Sequence, residues 1–202
     1  RKGDQSKLQA DGERALALAC KQAAFAYKNG YDIPDAPPDI DLKVLANEEG
    51  SFTLSWSALA DEAHNPDYAV ADARDVAGYR VYRSDQDALG PWRLLADIPK
   101  GQSLSATPFT NARGTAYPGA GTYTYKDDTA VAGFGYYYSV RAYSRAHADW
   151  KGQGPVASVE GGHAAPEQRT PQEGVPFVIA SARKDQLDEE VLAVPNPFRL
   201  DD

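Results

Sequence analysis

The strongest alternation of side chains along the chain lies between Gly135 and Ser144, where the sequence reads GYYYSVRAYS. Successive side chains of a β-strand point to opposite faces, and aromatic and β-branched residues favour a half-buried, pleated surface. The run therefore predicts a strand with one face in a core and the other face available to solvent. Its core face is expected to carry Tyr136, Tyr138, Val140 and Ala142.

Shorter runs of the same kind lie on both sides of this strand. They predict strands at 42–46, 52–57, 78–83, 92–95, 122–127 and 156–159. Polar segments at 59–76 and 100–121 separate some of them, and the first segment is too long for a hairpin turn. About seven short strands with polar turns between them indicate a mainly β fold, an antiparallel β-sandwich.

The N-terminal region has helical periodicity instead. Apolar residues recur at three-, four- or seven-residue spacing between about Gln5 and Asn29, and Gly30 is a natural C-terminal stop. Such an alanine-rich helix gains little from burial alone, so we expect it to pack against the sandwich or a preceding domain. The residues on its apolar stripe are Leu8, Ala15, Leu18, Ala19, Phe25 and Ala26.

Composition and charge exclude several classes of protein. The net charge of −8 and the pI near 4.9 argue against a nucleic-acid-binding surface, which needs clustered Lys and Arg. One cysteine forms no internal disulfide, and no apolar run approaches the ~20 residues of a membrane span. The chain contains no Met at all, so we expect it to be a piece of a longer protein.

Three local patterns together resemble the fibronectin type III module. They are Leu54-Ser55-Trp56, the run 78–83 (GYRVYR) and the run 138–142 (YSVRA). The resemblance implies an immunoglobulin-like β-sandwich with Trp56, Tyr79 and Tyr138 as structural residues. It further implies that Tyr138 forms the tyrosine corner, with its hydroxyl bonded to main chain near the turn before its strand.

The ends of the chain flank this predicted sandwich. We divide the sequence into an N-terminal helix (1–30), a Pro- and Asp-rich linker (31–41), the fibronectin-like sandwich (42–162) and an extended tail (163–202). The tail contains a predicted strand at 176–180. Its run 194–198, VPNPF, resembles the start of the C-terminal region of large secreted bacterial proteins, many exported by the type IX route. That resemblance implies a secreted or outer-surface location.

Catalytic patterns are missing from the sequence. His64, His147 and His163 lie in loop-like segments without a second histidine at metal-site spacing, so we expect them to be solvated. No nucleophile elbow, phosphate loop or dinucleotide fingerprint is present. The acidic pairs Asp61-Glu62 and Asp127-Asp128 are interpreted as solvated or capping groups of turns. We therefore expect no catalytic residues and no enzymatic activity.

Two binding hypotheses remain. Oxygen ligands from Asp61, Asp67, Asp72 and Asp75 would suit Ca²⁺, the one cofactor considered, although acidic loops are usually just hydrated. Outward aromatics would form a platform for sugar rings or a protein partner, and the favoured alternative is that they brace the opposite sheet, the helix or the tail. The platform residues are Tyr117, Tyr137, Tyr143 and Trp150.

The sequence thus favours a non-enzymatic structural, adhesive or assembly module of a secreted or surface-attached bacterial protein. Its expected partners are other domains or subunits of a surface assembly, with glycans as a further class. The alternative is an accessory domain, glycan-binding or spacer, of a secreted hydrolase.

Overall fold

A computed structural model describes residues 2–47, 50–131, 133–162 and 178–179 of the chain. Among them are one α-helix and ten β-strands, joined by loops. The helix is α1 (Lys2–Lys28), and a short 3-10 helix spans Ala58–Glu62. The strands are β1 (Leu42–Ala46), β2 (Phe52–Ser57), β3 (Val76–Ser84), β4 (Arg93–Pro99), β5 (Leu104–Ser105), β6 (Phe109–Thr110), β7 (Ala116–Tyr117), β8 (Thr122–Asp127), β9 (Gly135–Ser144) and β10 (Val178–Ile179).

The strands pair antiparallel in two four-stranded sheets and one short ribbon. The first sheet has the order β1-β2-β8-β5, and the second has the order β10-β9-β3-β4. β6 and β7 form the separate two-stranded ribbon. The predicted mainly β fold with antiparallel sheets and one N-terminal helix is therefore confirmed.

Both large sheets contribute side chains to one core. Trp56 of β2 stacks on Tyr123 of β8 at 5.8 Å between ring centroids, and it lies 5.6 Å from Tyr79 of β3 in the other sheet. Phe52 meets Tyr138 of β9 across the sheets at 5.2 Å. All five rings are at most 1% exposed, so large aromatics account for much of the apolar burial that holds the two sheets together.

The central strand β9 follows the predicted alternation. Its core face, defined by Tyr136, Tyr138, Val140 and Ala142, is buried. The tyrosine-corner assignment needs correction, because the Tyr138 hydroxyl donates to the Asp127 carboxylate at 2.7 Å. The hydroxyl that meets main chain before the strand belongs to Tyr136, which accepts from the Val131 N–H at 3.0 Å.

Asp127 is the centre of a buried polar network rather than a solvated turn residue as predicted. It is 0% exposed and accepts from Arg83 Nη1 at 2.9 Å, from Tyr138 and from the Thr129 hydroxyl at 2.6 Å. Burial raises the pKa of this carboxyl, but the bonds from Thr129, Tyr138 and Arg83 outweigh it and hold the pKa below its usual value. The adjacent Asp128 is exposed and pairs with Lys126.

The last strand differs from the prediction. Residues 156–159 do not form a strand, and the chain there makes only isolated bridges from Val156 to His147 and from Glu160 to Tyr143. The edge position beside β9 is taken by β10, where Val178 pairs with Tyr136. The tail strand predicted at 176–180 is thus found at 178–179, and its other residues lie outside the described part.

Close packing between strands requires a glycine at position 78 of β3. A Cβ built on Gly78 would lie 2.5 Å from the Ile98 carbonyl oxygen of β4 and 2.7 Å from the Tyr143 hydroxyl of β9. Contacts that short do not occur, and the carbonyl belongs to paired backbone that cannot swing aside. Only glycine lets β3 pass between its two neighbours at this point.

Most of the helix surface is exposed to solvent. Gly30 ends it in the left-handed conformation, with φ of 65°, as the sequence predicts. Leu8 and Leu18 of the predicted stripe are 70% and 57% exposed, and Leu16 beside them is 66% exposed, so the stripe does not pack on the sheets along its length. Packing against a preceding domain stays a prediction. Among the described residues, no helix has the length and apolar character needed to cross a membrane.

Candidate interaction site at the base of the helix

Four acidic residues proposed as calcium ligands take separate partners in the structure. Asp61 is buried and accepts from the Tyr79 and Tyr123 hydroxyls, each at 2.7 Å. Burial first, and then the bond to this carboxylate, raise the pKa of both tyrosines well above the usual range. Asp61 therefore connects the 3-10 helix to Tyr79 and Tyr123 at the end of the core.

Asp75 contacts His147, which we expected from the sequence to be solvated. Its Oδ2 accepts from Asn65 Nδ2 at 2.9 Å and lies 3.2 Å from His147 Nε2. The His147 side chain is only 8% exposed, and its ring stacks on Tyr68 with centroids 3.5 Å apart. The prediction for His147 is wrong because the long loop 63–75 folds over it. His64 stays near the surface beside Arg74, and His163 lies outside the described residues.

Asp67 joins three segments that are distant in sequence. It accepts from Trp150 Nε1 at 2.9 Å and from the Asp35 N–H at 2.9 Å, and Lys151 Nζ lies 2.7 Å from its other oxygen. Burial raises the pKa of Asp67, but the bonds from Lys151, Trp150 and Asp35 outweigh it and lower the pKa. Lys151 also reaches Asp32 of the linker at 2.7 Å.

The acidic loop is thus fastened by protein groups at the positions where calcium was expected. The fourth residue, Asp72, is exposed and pairs with Arg145 at 2.6 Å. Within the ranges that the structure covers, no group of three or more His, Cys, Asp or Glu side chains is placed to hold a metal ion. The calcium hypothesis therefore lacks the shared ligand set that it requires.

The four residues of the predicted aromatic platform do not act together. Trp150 is 1% exposed and lies against Phe25 of the helix, which agrees with the favoured alternative that it braces the helix and not with an exposed contact residue. Tyr143 is half-buried, with Arg80 over its ring at 4.5 Å and its hydroxyl on Asp97. The other two are also half-buried: Tyr137 lies opposite Ser84 of β3, and Tyr117 bonds Asp41 through its hydroxyl and packs 5.7 Å from Phe109.

Trp150 instead anchors the helix. The ring of Phe25 in the last turns of α1 lies 5.5 Å from the Trp150 ring, and Lys151 Nζ sits 4.9 Å from the same indole. We call Phe25, Asp67, Trp150 and Lys151 the helix socket. Because the Trp150 N–H is fixed by Asp67, the loop at 63–75 positions the surface on which the helix rests.

A groove of about 910 Å³ opens beside the helix socket. One wall is formed by Lys21, Gln22, Phe25 and Ala26 of α1, the linker contributes Ile33 and Pro34, and residues 155–160 form the opposite wall. Reciprocal backbone bonds between Val156 and His147, at 2.9 and 3.0 Å, and a bond from the Ser144 N–H to the Val159 carbonyl hold that wall.

The charges at the groove are unequal. Glu160, at one end, accepts from Arg80 and from the Tyr82 hydroxyl and pairs with Arg141 at 3.5 Å. Burial raises its pKa, but bonds from Arg80 and Tyr82 outweigh burial and lower it, so Glu160 is ionised and compensated. Lys21 lies exposed on the opposite side. The groove therefore offers an apolar floor with positive charge at its rim.

Sequence reasoning missed this groove for a definite reason. Its walls come from α1, the linker and residues 155–160, which no short motif connects. The signals that existed were the aromatic Phe25 on the helical stripe and the isolated Trp150 in a turn-rich loop. Nothing in the spacing of those two residues reveals that they meet.

Comparisons with known proteins add no further assignment. No protein-family model matches the chain, and no curated protein matches it.

Proposed function

We propose that the chain is a non-enzymatic structural or assembly module of a larger secreted or surface-attached bacterial protein. In this proposal the two sheets form a fibronectin type III-like β-sandwich, consistent with antiparallel sheets that face each other across a shared aromatic core. The VPNPF run of the tail supports the location outside the cell. The partners are other domains or subunits of the same assembly.

The exposure of α1 carries this proposal. The helix has 27 residues, and Phe25 near its C-terminal end rests on Trp150 in the helix socket. Isolated helices are marginally stable in water, and most helical stability comes from packing an apolar face. A helix held at its base with Leu8, Leu16 and Leu18 uncovered is suited to contact a neighbour.

The polar side chains support a structural role. The buried carboxylates Asp61, Asp75 and Asp127 each bond to tyrosine, histidine, asparagine or arginine within the fold. A glycan-binding accessory domain needs an open row of aromatic rings, whereas Trp150 is buried against Phe25. The assembly role is therefore favoured over the accessory role.

Site-specific cross-linking in the parent protein tests the proposal. A photoreactive residue at Leu16 of α1 should cross-link to another domain or subunit, while the same residue at Leu89, which is 91% exposed on the sheet domain, serves as the matched control. Protease treatment of intact producing cells should cleave the module. Equal cross-linking at both positions, protection inside the cell, or retention by polysaccharide gels would contradict it.

A further inference from the structure

The helix carries a row of positive charge that continues into the groove. Lys7, Arg14, Lys21 and Lys28 recur at seven-residue spacing, and all four are exposed. Seven residues complete almost two turns of an α-helix, so this basic row follows one side of α1. Lys21 belongs to both the row and the groove wall, and Arg14 and Lys28 lie about 10 Å from it along the helix axis.

The charge of the helix is opposite to that of the remaining chain. Residues 1–28 contain six basic and three acidic residues, whereas residues 29–202 contain fifteen basic and twenty-six acidic residues. Exposed charges interact strongly only within a Debye length of roughly 8 Å at physiological salt. A ligand in the groove therefore meets Lys21 as the nearest positive charge, because Glu160 is compensated by Arg80 and Arg141, and Asp32 of the linker by Lys151.

We propose that the groove binds an acidic amphipathic segment of a partner polypeptide. This inference rests on the assembly function proposed above and names the chemistry of the partner. Apolar side chains of the segment enter the groove between Phe25, Ala26 and residues 155–160, and carboxylates beside them pair with Lys21 and the rest of the basic row. Amphipathic helices commonly dock in this way, with apolar anchors in a groove and charges at the rim.

The shape of the site favours a polypeptide over a lipid surface. The site is a concave groove between α1 and residues 155–160, whereas a planar bilayer contacts convex or flat surfaces. A second copy of the chain is a weaker match because its helix carries the same basic row, which opposes side-by-side pairing of two helices. Both alternatives are outcomes of the test below.

The test uses the whole 202-residue chain and two defined probes. One is a 14-residue peptide of leucine, alanine and glutamate with leucines three and four residues apart. The other has lysine at every glutamate position. Binding is measured by isothermal titration calorimetry and by the change in tryptophan emission, to which Trp150 contributes through its contact with the groove residue Phe25. We expect the acidic peptide to bind saturably and the basic peptide to bind at least about tenfold more weakly.

Matched substitutions locate the binding. Ala26→Glu places a carboxylate in the groove wall and should remove binding of the acidic peptide, whereas Ala24→Glu, on an exposed helical position outside the lining, should leave it unchanged. Lys21→Glu should weaken the acidic peptide about fivefold or more and strengthen the basic one. Circular dichroism confirms that each variant keeps its helix and sheets.

Several results overturn the inference. They are no binding of either peptide, equal binding of both, equal effects of Ala24→Glu and Ala26→Glu, self-association in light scattering that Ala26→Glu abolishes, and binding to phosphatidylglycerol vesicles with none to the acidic peptide. If α1 cross-links to a neighbour in the parent protein while the acidic peptide does not bind, the assembly function stands and only the groove assignment fails.

Discussion

Removing the charge of Asp127 tests the account of the buried network most directly. Asp127→Asn keeps the shape of the side chain but leaves the Arg83 guanidinium, whose side chain is 6% exposed, without its buried counter-charge. The amide also presents donor hydrogens where Arg83 and Tyr138 already donate. Breaking a buried pair in this way costs about 3–5 kcal/mol.

That loss is large relative to the stability of one domain. Unfolding free energies are typically about 5–15 kcal/mol, so Asp127→Asn should remove roughly a fifth or more of the total. For a chain of this size the melting temperature should fall by about 6–20 °C. Urea unfolding at neutral pH, followed by circular dichroism, gives the change from the midpoint and the slope.

The neighbouring residue supplies the control. Asp128→Asn removes the same charge from a side chain that is 66% exposed, and it should change the unfolding free energy by less than about 0.5 kcal/mol. The double variant Asp127→Asn with Arg83→Met should recover much of the loss because no buried unpaired charge remains; Asp85, the other partner of Arg83, is 55% exposed. Equal effects of Asp127→Asn and Asp128→Asn, or no recovery in the double variant, would refute the reasoning.

Three further changes have defined outcomes. Gly78→Ala should destabilise the domain by about 2 kcal/mol or more in urea unfolding, because the added methyl group meets backbone. Gly12→Ala on the exposed helix should instead stabilise it by up to about 1 kcal/mol. A larger loss of stability for Gly12→Ala than for Gly78→Ala would contradict the packing. The pKa of Asp127 is depressed on folding, so the contribution of Asp127 to the unfolding free energy is complete above the unfolded value of 3.8 and is lost as pH falls through the lower folded value. In urea unfolding, Asp127→Asn should therefore lose less stability on acidification than the parent chain. Equal losses would disprove the assignment. Phe25→Ala should shift the tryptophan emission of the chain to longer wavelength, because it uncovers Trp150 and leaves Trp56 and Trp92 as they are, with little change in melting temperature. An unchanged spectrum would show that Phe25 does not cover the Trp150 indole.

The strands of the two sheets were largely predictable because their alternation is local. Five of the six predicted strands that flank β9 appear close to their expected bounds, and β9 itself has the expected core face. The sixth, at 156–159, fails because alternation does not say whether a neighbouring strand is free to pair. There the chain makes two bridges to the 143–147 region and moves on to form a wall of the groove.

The partners of polar and aromatic side chains were less predictable because they depend on distant segments. Asp67 contacts Trp150 across 83 residues, and Asp75 contacts His147 across 72. Composition made the acidic loop resemble a cation site. The structure places Lys151, Arg145 and His147 against its carboxylates instead.

By itself, the sequence determined what short-range physics controls: the helix and its end at Gly30, the alternating strands, and the inward aromatic residues Trp56, Tyr79 and Tyr138. Backbone periodicity and glycine conformation act over a few residues, so they can be read locally. Only the tertiary structure decided that Tyr136 meets main chain, that Trp150 supports the helix and that a groove with a basic rim lies beside it. Those features arise where α1, the linker and two loops converge, and their proximity depends on the packing of the whole chain.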